Sequence, residues 1–598
     1  MGQGASVTRE PRPQGPTRRA LMGAMALPLL GCDAPPTVEG GFQDTGHTHG
    51  PRLRQPQEPA APAQTRRTRV VIAGGGVAGL AAARALRQRG VEDFVLLELE
   101  DSPGGNSRAG QVGGIACPLG AHYLPLPGDD AREVQDLLEE LGLRRRVAGR
   151  WVYDERHLCH SPQERLYFHG PQGAGWQEGL LPVAGVGPAT LAQYQAFAAA
   201  VQRVRRVARF TLPAARAPWT ALHAQLDAQT FAAWLDAQGL GDPHLRWYLD
   251  YCCRDDYGAG ITTVSAWAGI HYFASRHGFH APGAPGAEHG EREGLLTWPE
   301  GNAWLTRRLA APLGARLHTG QVVQRIARTR QGVEVDALNT ATGTLQRWQA
   351  RQVVVALPVF VAARVVENAP DFLRQAAAQT VYAPWLVANI HIQHALHDRP
   401  GAPPSWDNVL YDTRSTAGAG ASTGTDTVAH GGLGYVDASH QALQALPGAT
   451  VLTHYRALGN AVQAAAGGGA MDAAACALAG RRLLQATPWA AWRDQILANL
   501  SLAHPDLAAK TTRIDITRYG HAMAIPVPNI TGQIGHFRTA DVRKQLSKTE
   551  HYPARPVPTW GPMAFAHSDW AGYSVFEEAF TSGHAAGRWA AQALRNAS

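Results

Sequence analysis

Glycines that follow an apolar segment near residue 70 form the motif with the clearest chemical purpose in this chain. Val70–Ile72 is β-branched and apolar, as a buried strand requires, and it leads into Gly74-x-Gly76-x-x-Gly79. Gly74 permits a tight turn, Gly76 lets the backbone approach a pyrophosphate, and Gly79 allows a helix to pack closely on the strand. The N-terminus of the following helix offers free N–H groups and the positive end of its dipole. The motif therefore predicts a phosphate-binding turn.

An acidic residue follows at the distance expected for a ribose contact. The helical pattern stops at Gly90, and a second apolar strand, Phe94–Leu97, ends at Glu98, about 20 residues after the last motif glycine. A carboxylate at this place accepts hydrogen bonds from ribose hydroxyls. The order of strand, helix, strand and acid predicts an α/β domain that holds a dinucleotide. An NAD-binding Rossmann domain remains an alternative on these residues alone.

Four further segments resemble the flavin amine oxidase superfamily, which includes polyamine oxidases, protoporphyrinogen oxidases and carotenoid desaturases. The matching segments are Gly104-Gly105 with Arg108, Val323-x-x-Ile326, Val353–Pro358, and Phe565–Ala586 with Asp569 and Phe576. The resemblance implies that the dinucleotide is FAD. It also implies a discontinuous FAD-binding Rossmann-like domain of the glutathione-reductase type, with an interleaved α+β substrate domain. Asp569 would then bind the ribityl chain, and the helix beginning near Phe576 would face the N1–C2=O edge of the flavin.

The same resemblance places the segment Leu119–Leu124 beside the flavin. Gly120 would let the backbone approach the ring, and His122 is the candidate catalytic residue because free histidine titrates near working pH. A histidine held by backbone near the cofactor is the alternative. No metal site is expected.

Three positions depart from the amine oxidase pattern. The lysine that holds a water against flavin N5 would lie in Trp385–Ile392, where the matching residue is Ala388. The arginine expected after the glycine pair is Asn106, with Arg108 as the substitute, and the cage aromatic before Glu577 is Val575. These differences weaken an amine oxidase assignment more than they weaken FAD binding.

The expected function is that of an FAD-dependent, amine-oxidase-like oxidoreductase, which takes a hydride from a small organic substrate onto flavin N5. Oxygen or a membrane electron carrier would accept the electrons. A desaturase or isomerase of an apolar lipid such as a carotenoid is one alternative, and a non-catalytic periplasmic binding protein is another. The pair Asp255-Asp256 is expected in an exposed loop rather than at a cationic substrate.

The N-terminus resembles an export signal. Thr17-Arg18-Arg19 resembles a twin-arginine motif, the apolar run Leu21–Leu30 is too short to span a bilayer, and Cys32 stands where a lipoprotein would be acylated. Residues 33–66 are expected to be a flexible tether. We therefore expect a lipid-anchored protein on the periplasmic face of a membrane, with no transmembrane helix.

Composition and spacing set the remaining expectations. The chain of 598 residues carries a formal net charge of +7, with three lysines, and lacks a compact basic run with interleaved aromatics, so nucleic acid is not an expected partner. Cysteines other than Cys32 are scattered, which favours buried thiols over a disulfide framework. The expected FAD-binding parts are residues 67–150, 295–365 and 515–598, and the substrate parts are 151–294 and 366–514.

Overall fold

The computed structural model describes residues 1–2, 37–43, 61–170, 173–276, 278–283, 294–411, 432–441, 448–460, 472–540 and 557–596. The chain divides after Thr37 into two units, residues 1–37 and residues 38–598, and the second contains every helix and strand given below. The twin-arginine segment, Cys32 and most of the tether lie outside the described residues.

The elements are numbered in chain order. The strands are β1 Glu39–Phe42, β2 Gln64–Ala73, β3 Phe94–Leu97, β4 Ala109–Val112, β5 Ile115–Pro118, β6 Tyr123–Pro125, β7 Arg144–Val147, β8 Arg150–Tyr153, β9 Glu164–Gly170, β10 Gly173–Glu178, β11 Leu295–Thr297, β12 Leu317–His318, β13 Gln321–Thr329, β14 Gly332–Asn339, β15 Leu345–Val355, β16 Val381–Ile392, β17 Asp407–Leu410, β18 Gly432–Asp437, β19 Thr450–Ala457, β20 Thr511–Ile525, β21 Thr559–Trp560 and β22 Met563–Phe565. The α-helices are α1 Val77–Gln88, α2 Arg132–Glu140, α3 Pro188–Val207, α4 Ala221–Asp227, α5 Phe231–Ala237, α6 Pro243–Tyr257, α7 Ala266–Ala274, α8 Ala303–Ala310, α9 Val359–Val365, α10 Asp371–Gln379, α11 Ala473–Ala486, α12 Trp489–Leu500, α13 Leu507–Lys510, α14 Ile530–Ala540 and α15 Phe576–Asn596.

The first sheet has the order β12-β3-β2-β15-β14-β13. In addition, β22 pairs with β15 on one side and with β21 on the other. The neighbours β12, β3, β2, β15 and β22 run parallel, whereas β13, β14 and β15 form an antiparallel meander. Its strands come from three separated stretches of the chain. With helices packed on this largely parallel sheet, the predicted α/β class is confirmed.

The second sheet has the order β1-β20-β16-β19-β18-β17-β9-β10. Alternate residues of β16 face opposite sides: Trp385 and Val387 join a cluster with α3 and α5–α7, while Leu386 and Ala388 join one with α11 and α12. All are buried, so both faces of this sheet are covered.

Two predicted boundaries require correction. Glu39–Phe42 is not a free tether, because it pairs in parallel with β20, and a side chain at Gly40 would come within 1.9 Å of the Ile514 carbonyl oxygen. β20 also belongs to the second sheet, so the chain returns to the first sheet after Ile525 and not at residue 515. The short apolar alternation of β20 gave no sign of which sheet it would join.

Smaller two-stranded sheets pair β4 with β5, β6 with β11, and β7 with β8. Cys117, Cys159, Cys252, Cys253 and Cys476 are buried free thiols. In the described part of the chain, no helix combines the length and apolar character needed to cross a membrane.

Candidate active site

The glycine motif builds a groove whose floor is bare backbone. Gly74 has φ +102, and a Cβ there would lie 2.3 Å from the Ala356 oxygen, while a Cβ at Gly79 would lie 1.9 Å from the Gly74 oxygen. Turn geometry and helix packing therefore require glycine at both positions. Gly76 differs, because the nearest atom to a Cβ there is the Gly105 Cα at 3.9 Å. The open space lies in front of the N-terminus of α1, where an anion would bind.

The second glycine pair lines the opposite side of this groove. Gly104 forms a parallel bridge with Gly76, and Gly104 and Gly105 have φ values of +133 and +58 that favour glycine. Arg108 lies at the edge, where its Nε donates to the Gly105 oxygen at 3.3 Å and its guanidinium is 3.5 Å from the Glu100 carboxylate. The structure thus brings the predicted phosphate-side residues together.

Glu98 has its carboxylate at the same groove. Oε2 accepts from the Gly75 N–H at 2.7 Å and Oε1 accepts from the Glu100 N–H at 2.9 Å. Burial raises its pKa, although both backbone N–H groups oppose the shift. A carboxylate has about four lone-pair sites, so two are left for ribose hydroxyls.

The carboxyl ends of four parallel strands align at this groove. Leu97, Ala73, Val355 and Phe565 are register neighbours across β3, β2, β15 and β22. Three strand spacings separate the first from the last, about 14 Å. Ligands of such sheets bind outside the carboxyl ends of the strands, so Glu98 and the segment after Phe565 border one crevice.

Asp569 lies at the far end of that crevice. Its Oδ2 accepts from the Tyr382 hydroxyl at 2.6 Å and the Val359 N–H at 2.9 Å, and His567 Nδ1 is 3.0 Å from Oδ1. Although burial opposes it, these partners hold the pKa of Asp569 below its ordinary value. Asp569 is therefore an ionised acceptor at neutral pH.

Val323 and Phe576 are the remaining predicted FAD contacts. Val323 is buried in β13. The first residue of this strand, Gln321, donates its backbone N–H to the backbone carbonyl oxygen of Glu98 at 2.7 Å. Phe576 begins α15, whose first N–H groups have no partner inside the helix. A bare groove, two buried acids and two helix N-termini fit an extended dinucleotide. The individual FAD contacts stay predictions.

The segment predicted to lie beside the flavin is tied to the second sheet. The hydroxyls of Tyr519 and Tyr455 donate to the oxygens of Leu119 (2.7 Å) and Gly120 (3.0 Å). A Cβ at Gly120 would lie 2.3 Å from the backbone oxygen of Asn106. Contact with the Asn106 backbone therefore requires glycine at this position, independently of any contact with the flavin.

His122 does not have the properties expected of an acid–base catalyst. Burial lowers its pKa to about 3, with only a hydrogen bond to Gly120 opposing the shift. Its ring lies against Tyr455 and Tyr123, with centroids 4.6 and 4.8 Å away. The expectation of titration near working pH is wrong, because an enclosed apolar environment disfavours the imidazolium. His122 is a neutral wall residue.

The lysine-free strand is β16. Ala388, the position matched to the family lysine, is buried on the face that packs against α11 and α12. Residues of the other parity, Trp385 and Val387, face the helical cluster that also contains Tyr455. No lysine stands on either face of β16.

An acidic cluster, Glu164, Asp255 and Asp407, adjoins the flavin-side segment. Glu164 and Asp407 are register partners on the parallel strands β9 and β17, so their side chains share a face with Cβ atoms about 5 Å apart. Asp255, on α6, accepts from the Tyr123 hydroxyl at 3.3 Å. All three side chains are half-buried, and burial is the largest influence on the pKa of Asp255 and of Asp407.

The pKa values of Asp255 and Asp407 are raised by burial and by neighbouring acids. Burial and the neighbouring Asp256 raise the pKa of Asp255 to about 7, and burial together with Asp255 and Glu164 raises that of Asp407 well above its ordinary value. The Arg276 guanidinium pairs instead with Asp256 at 2.8 Å. A bound cation would relieve this repulsion and restore the ionised carboxylates.

Two of these acids were not found from the sequence, and a third was misplaced. The exposed-loop interpretation of Asp255-Asp256 is wrong, because both lie on α6, which is buried between the second sheet and α7. Glu164 and Asp407 are separated by more than two hundred residues, and nothing local in the sequence joins them. In the described residues, no group of His, Cys, Asp and Glu is arranged to hold a metal ion.

Comparison with known proteins agrees with this geometry. The family described as "Flavin containing amine oxidoreductase" matches residues 77–421. The "Putative flavin-containing monoamine oxidase AofH" of Mycobacterium tuberculosis is 28% identical over 290 residues, which are 48% of this chain and 56% of that protein. The chain thus spans about half the length of this curated relative.

Solved structures share the fold at low identity. Putrescine oxidase bound to putrescine aligns with a TM-score of 0.60 at 17% identity, covering 89% of this chain and 100% of that one. Cyclohexylamine oxidase from Brevibacterium oxydans IH-35A aligns with a TM-score of 0.57 at 17% identity, covering 88% and 99%. Since the family match extends from the first glycine-motif helix across both sheets, the chain belongs to the family of flavin-containing amine oxidoreductases.

Proposed function

We propose that this protein oxidises an organic amine that carries a second, permanently protonated amino group. Its cofactor is FAD, as its family indicates. When bound, FAD supplies the two-electron acceptor for a hydride. The observation that carries the proposal is the acidic cluster beside the flavin-side segment.

The chain's residues divide the work of binding such a substrate. Hydride loss next to nitrogen needs the nitrogen lone pair, so the reacting amino group has to be neutral. A carboxylate stabilises the protonated form of an amine, so the group held by Glu164, Asp255 and Asp407 is not the one that reacts. A diamine satisfies both demands.

Aromatic walls would orient the chain between the two nitrogens. Tyr123, His122, Tyr455 and Trp406 border the same region, with the Trp406 and His122 rings 6.4 Å apart. Burial keeps His122 neutral, so it adds no charge that would compete with the substrate. These side chains exclude water and present apolar surface to the methylene groups.

The alternative of an apolar lipid substrate is favoured by one observation, the absence of lysine from β16. The acidic cluster argues against it, because a hydrocarbon substrate would add an apolar surrounding to ionisable groups that are already buried, which is costly. Membership of an oxidoreductase family argues against a binding protein without catalysis.

Anaerobic reduction of the bound flavin separates these functions. Purified protein is mixed without air with an α,ω-diamine, a monoamine of equal length, or a carotenoid, and the visible flavin absorbance is followed. We expect the diamine to bleach the flavin at the lowest concentration. Bleaching by the carotenoid alone would establish the lipid function, and no bleaching by any compound would favour a binder. Peroxide release after readmitting air then tests oxygen against a membrane carrier as acceptor.

We also propose that the protein is exported by the twin-arginine route and anchored on the periplasmic face through Cys32. This rests on the sequence of residues 17–32, which lie outside the described residues. A folded flavoprotein suits this route, because the cofactor is loaded before export.

A further inference from the structure

The β7–β8 hairpin stands apart from both large sheets. It forms a two-stranded sheet closed by Ala148 and Gly149, whose φ values of 48 and 82 give the mirror-image turn typical of tight hairpins. Every residue from Arg145 to Val152 is exposed. The hairpin is therefore a projecting surface feature.

Each cross-strand pair at this tip joins an arginine to an apolar residue. The pairs are Arg145 with Val152, Arg146 with Trp151, and Arg150 with Val147. Trp151 and Val147 are each 44% exposed and Val152 is 37% exposed, which places them among the few large apolar side chains exposed to solvent.

The positive charge of the tip is not neutralised within the described residues. Arg145, Arg146 and Arg150 form no ion pair there, whereas the flanking Arg144 and Arg156 pair with Glu139 (3.6 Å) and Asp154 (2.6 Å). The Arg144 guanidinium also covers one face of Trp151, 3.8 Å from the ring centroid. Arg146 lies on the same face of the hairpin as Trp151, 5.8 Å from its ring centroid, whereas Arg145 and Arg150 lie on the opposite face with the two valines. Both faces of the tip therefore combine positive charge with exposed apolar surface.

We propose that this hairpin docks on the anionic headgroups of a phospholipid surface. Arginines bind lipid phosphates, while tryptophan and valine enter the interface between headgroups and acyl chains. Nucleic acid suits this tip less well, because Arg144 already covers a face of Trp151 and the valines offer nothing to a phosphate backbone. The inference depends on neither the amine substrate nor the acylation of Cys32.

Vesicle sedimentation tests the proposal on the full chain carrying Cys32→Ser, which has no acylation site at that position. Vesicles of phosphatidylcholine alone are compared with vesicles that also contain phosphatidylglycerol. We expect binding to the anionic vesicles that weakens with added salt and little binding to the neutral ones. Each arginine should contribute about fivefold, so Arg145→Gln/Arg146→Gln/Arg150→Gln should lower the partition coefficient on the order of 100-fold.

A second set of variants separates this surface from general charge. Arg330→Gln/Arg351→Gln/Arg399→Gln removes the same charge from exposed arginines on other elements and should change binding by less than about threefold. Visible flavin absorbance confirms that each variant is folded. Equal loss in both triple variants, unchanged binding of the hairpin variant, or tighter binding to a duplex oligonucleotide than to anionic vesicles would each overturn the proposal.

Discussion

In the proposed function, the charge of a single side chain determines whether a second, protonated amino group is bound. The pKa of Asp255 is about 7 because burial and Asp256 disfavour its ionised form. Asp255 is thus protonated at lower pH and ionised at higher pH, and only the ionised form attracts an ammonium group. In the proposed function, Asp255 therefore strengthens substrate binding at the upper end of the physiological pH range and loses this effect at the lower end.

We predict that kcat/KM for a diamine falls as pH decreases through about 7. The neutral form of the reacting amine also becomes scarcer as pH decreases, so Asp255→Asn should make this fall shallower without removing it. It should lower kcat/KM about 10- to 100-fold at high pH, as expected for the loss of a charge-assisted hydrogen bond. Steady-state assays between about pH 6 and pH 8 measure both effects. Asp494→Asn, at a side chain that is 65% exposed, is the matched control and should leave the profile unchanged. An unaltered profile in Asp255→Asn would assign the titration elsewhere.

A substitution at Asp407 distinguishes diamines from monoamines. Asp407→Asn should raise KM for the diamine roughly tenfold or more, and should affect a monoamine of equal length much less. The ratio of the two KM values is the measurement. Equal losses for both substrates would mean that Asp407 only maintains the packing of β17 against β9.

A side chain in the phosphate groove should displace the cofactor. Gly76→Val fills the open space in front of α1, so we expect folded protein with flavin content below about a tenth of wild type. The ratio of visible to ultraviolet absorbance measures this loss. Gly128→Val adds the same side chain where nothing lies within 4 Å and should retain its flavin. Flavin retained by Gly76→Val would exclude this groove as the pyrophosphate site.

Site residues could be predicted from the sequence where they lie close together along the chain. The glycines and Glu98 fall within one strand-helix-strand unit, and their spacing alone indicated a dinucleotide. Glu164, Asp255 and Asp407 come from three distant elements and share a site only because β9, β17 and α6 pack together. Nor could the spacing show that His122 would be enclosed by Tyr123, Tyr455 and Trp406, which removed its ability to titrate.

Among the elements, the crossing of α1 and α15 packs the early part of the first sheet, at β2, against its late part, at β22. A Cβ at Gly583 would lie 1.9 Å from the Ala78 oxygen, and a Cβ at Gly587 would lie 2.4 Å from the Ala82 oxygen. The two glycines are four residues apart on α15, and the two alanines are four residues apart on α1. The small-residue face of one helix therefore packs directly on that of the other. This close approach needs glycine on α15.

Gly583→Ala should therefore destabilise the protein although alanine favours helices. Overpacking at this crossing should lower the free energy of unfolding by about 1–3 kcal/mol, measured by denaturant titration of the holoenzyme. Gln592→Ala, at an exposed position of the same helix, should change it by less than about 0.5 kcal/mol. A more stable Gly583→Ala variant would show that the helices separate at little cost.

Element types were more predictable than their partners. The apolar alternation in Trp385–Ile392 predicts a strand, which is observed as Val381–Ile392. The helical spacing in Leu245–Cys253 predicts a helix, which is observed as α6. The apolar period reveals which residues are buried, but it does not identify the sheet that buries them. Glu39–Phe42 illustrates this, since a short polar and glycine-rich segment gains a partner only when β20 presents a free edge.

At the scale of the whole molecule, attachment to a membrane is a separate question from catalysis. We predict that Cys32→Ser releases the protein from the membrane fraction at high salt, where hairpin binding is screened, without changing its flavin content. Fractionation of the expressing cells, followed by immunoblotting, measures the change. A variant that stays in the membrane fraction under these conditions would contradict the anchor.

The arrangement of the first sheet has a consequence for biosynthesis. β2 is made early, whereas β22 and α15 belong to the last forty or so residues, and both flank the same crevice. During translation both sheets' central strands are therefore made before β22 and α15 can complete the crevice. We therefore expect a chain stalled before residue 557 to stay colourless however well its earlier parts have folded, and the yellow colour to appear only once β22 and α15 have been made.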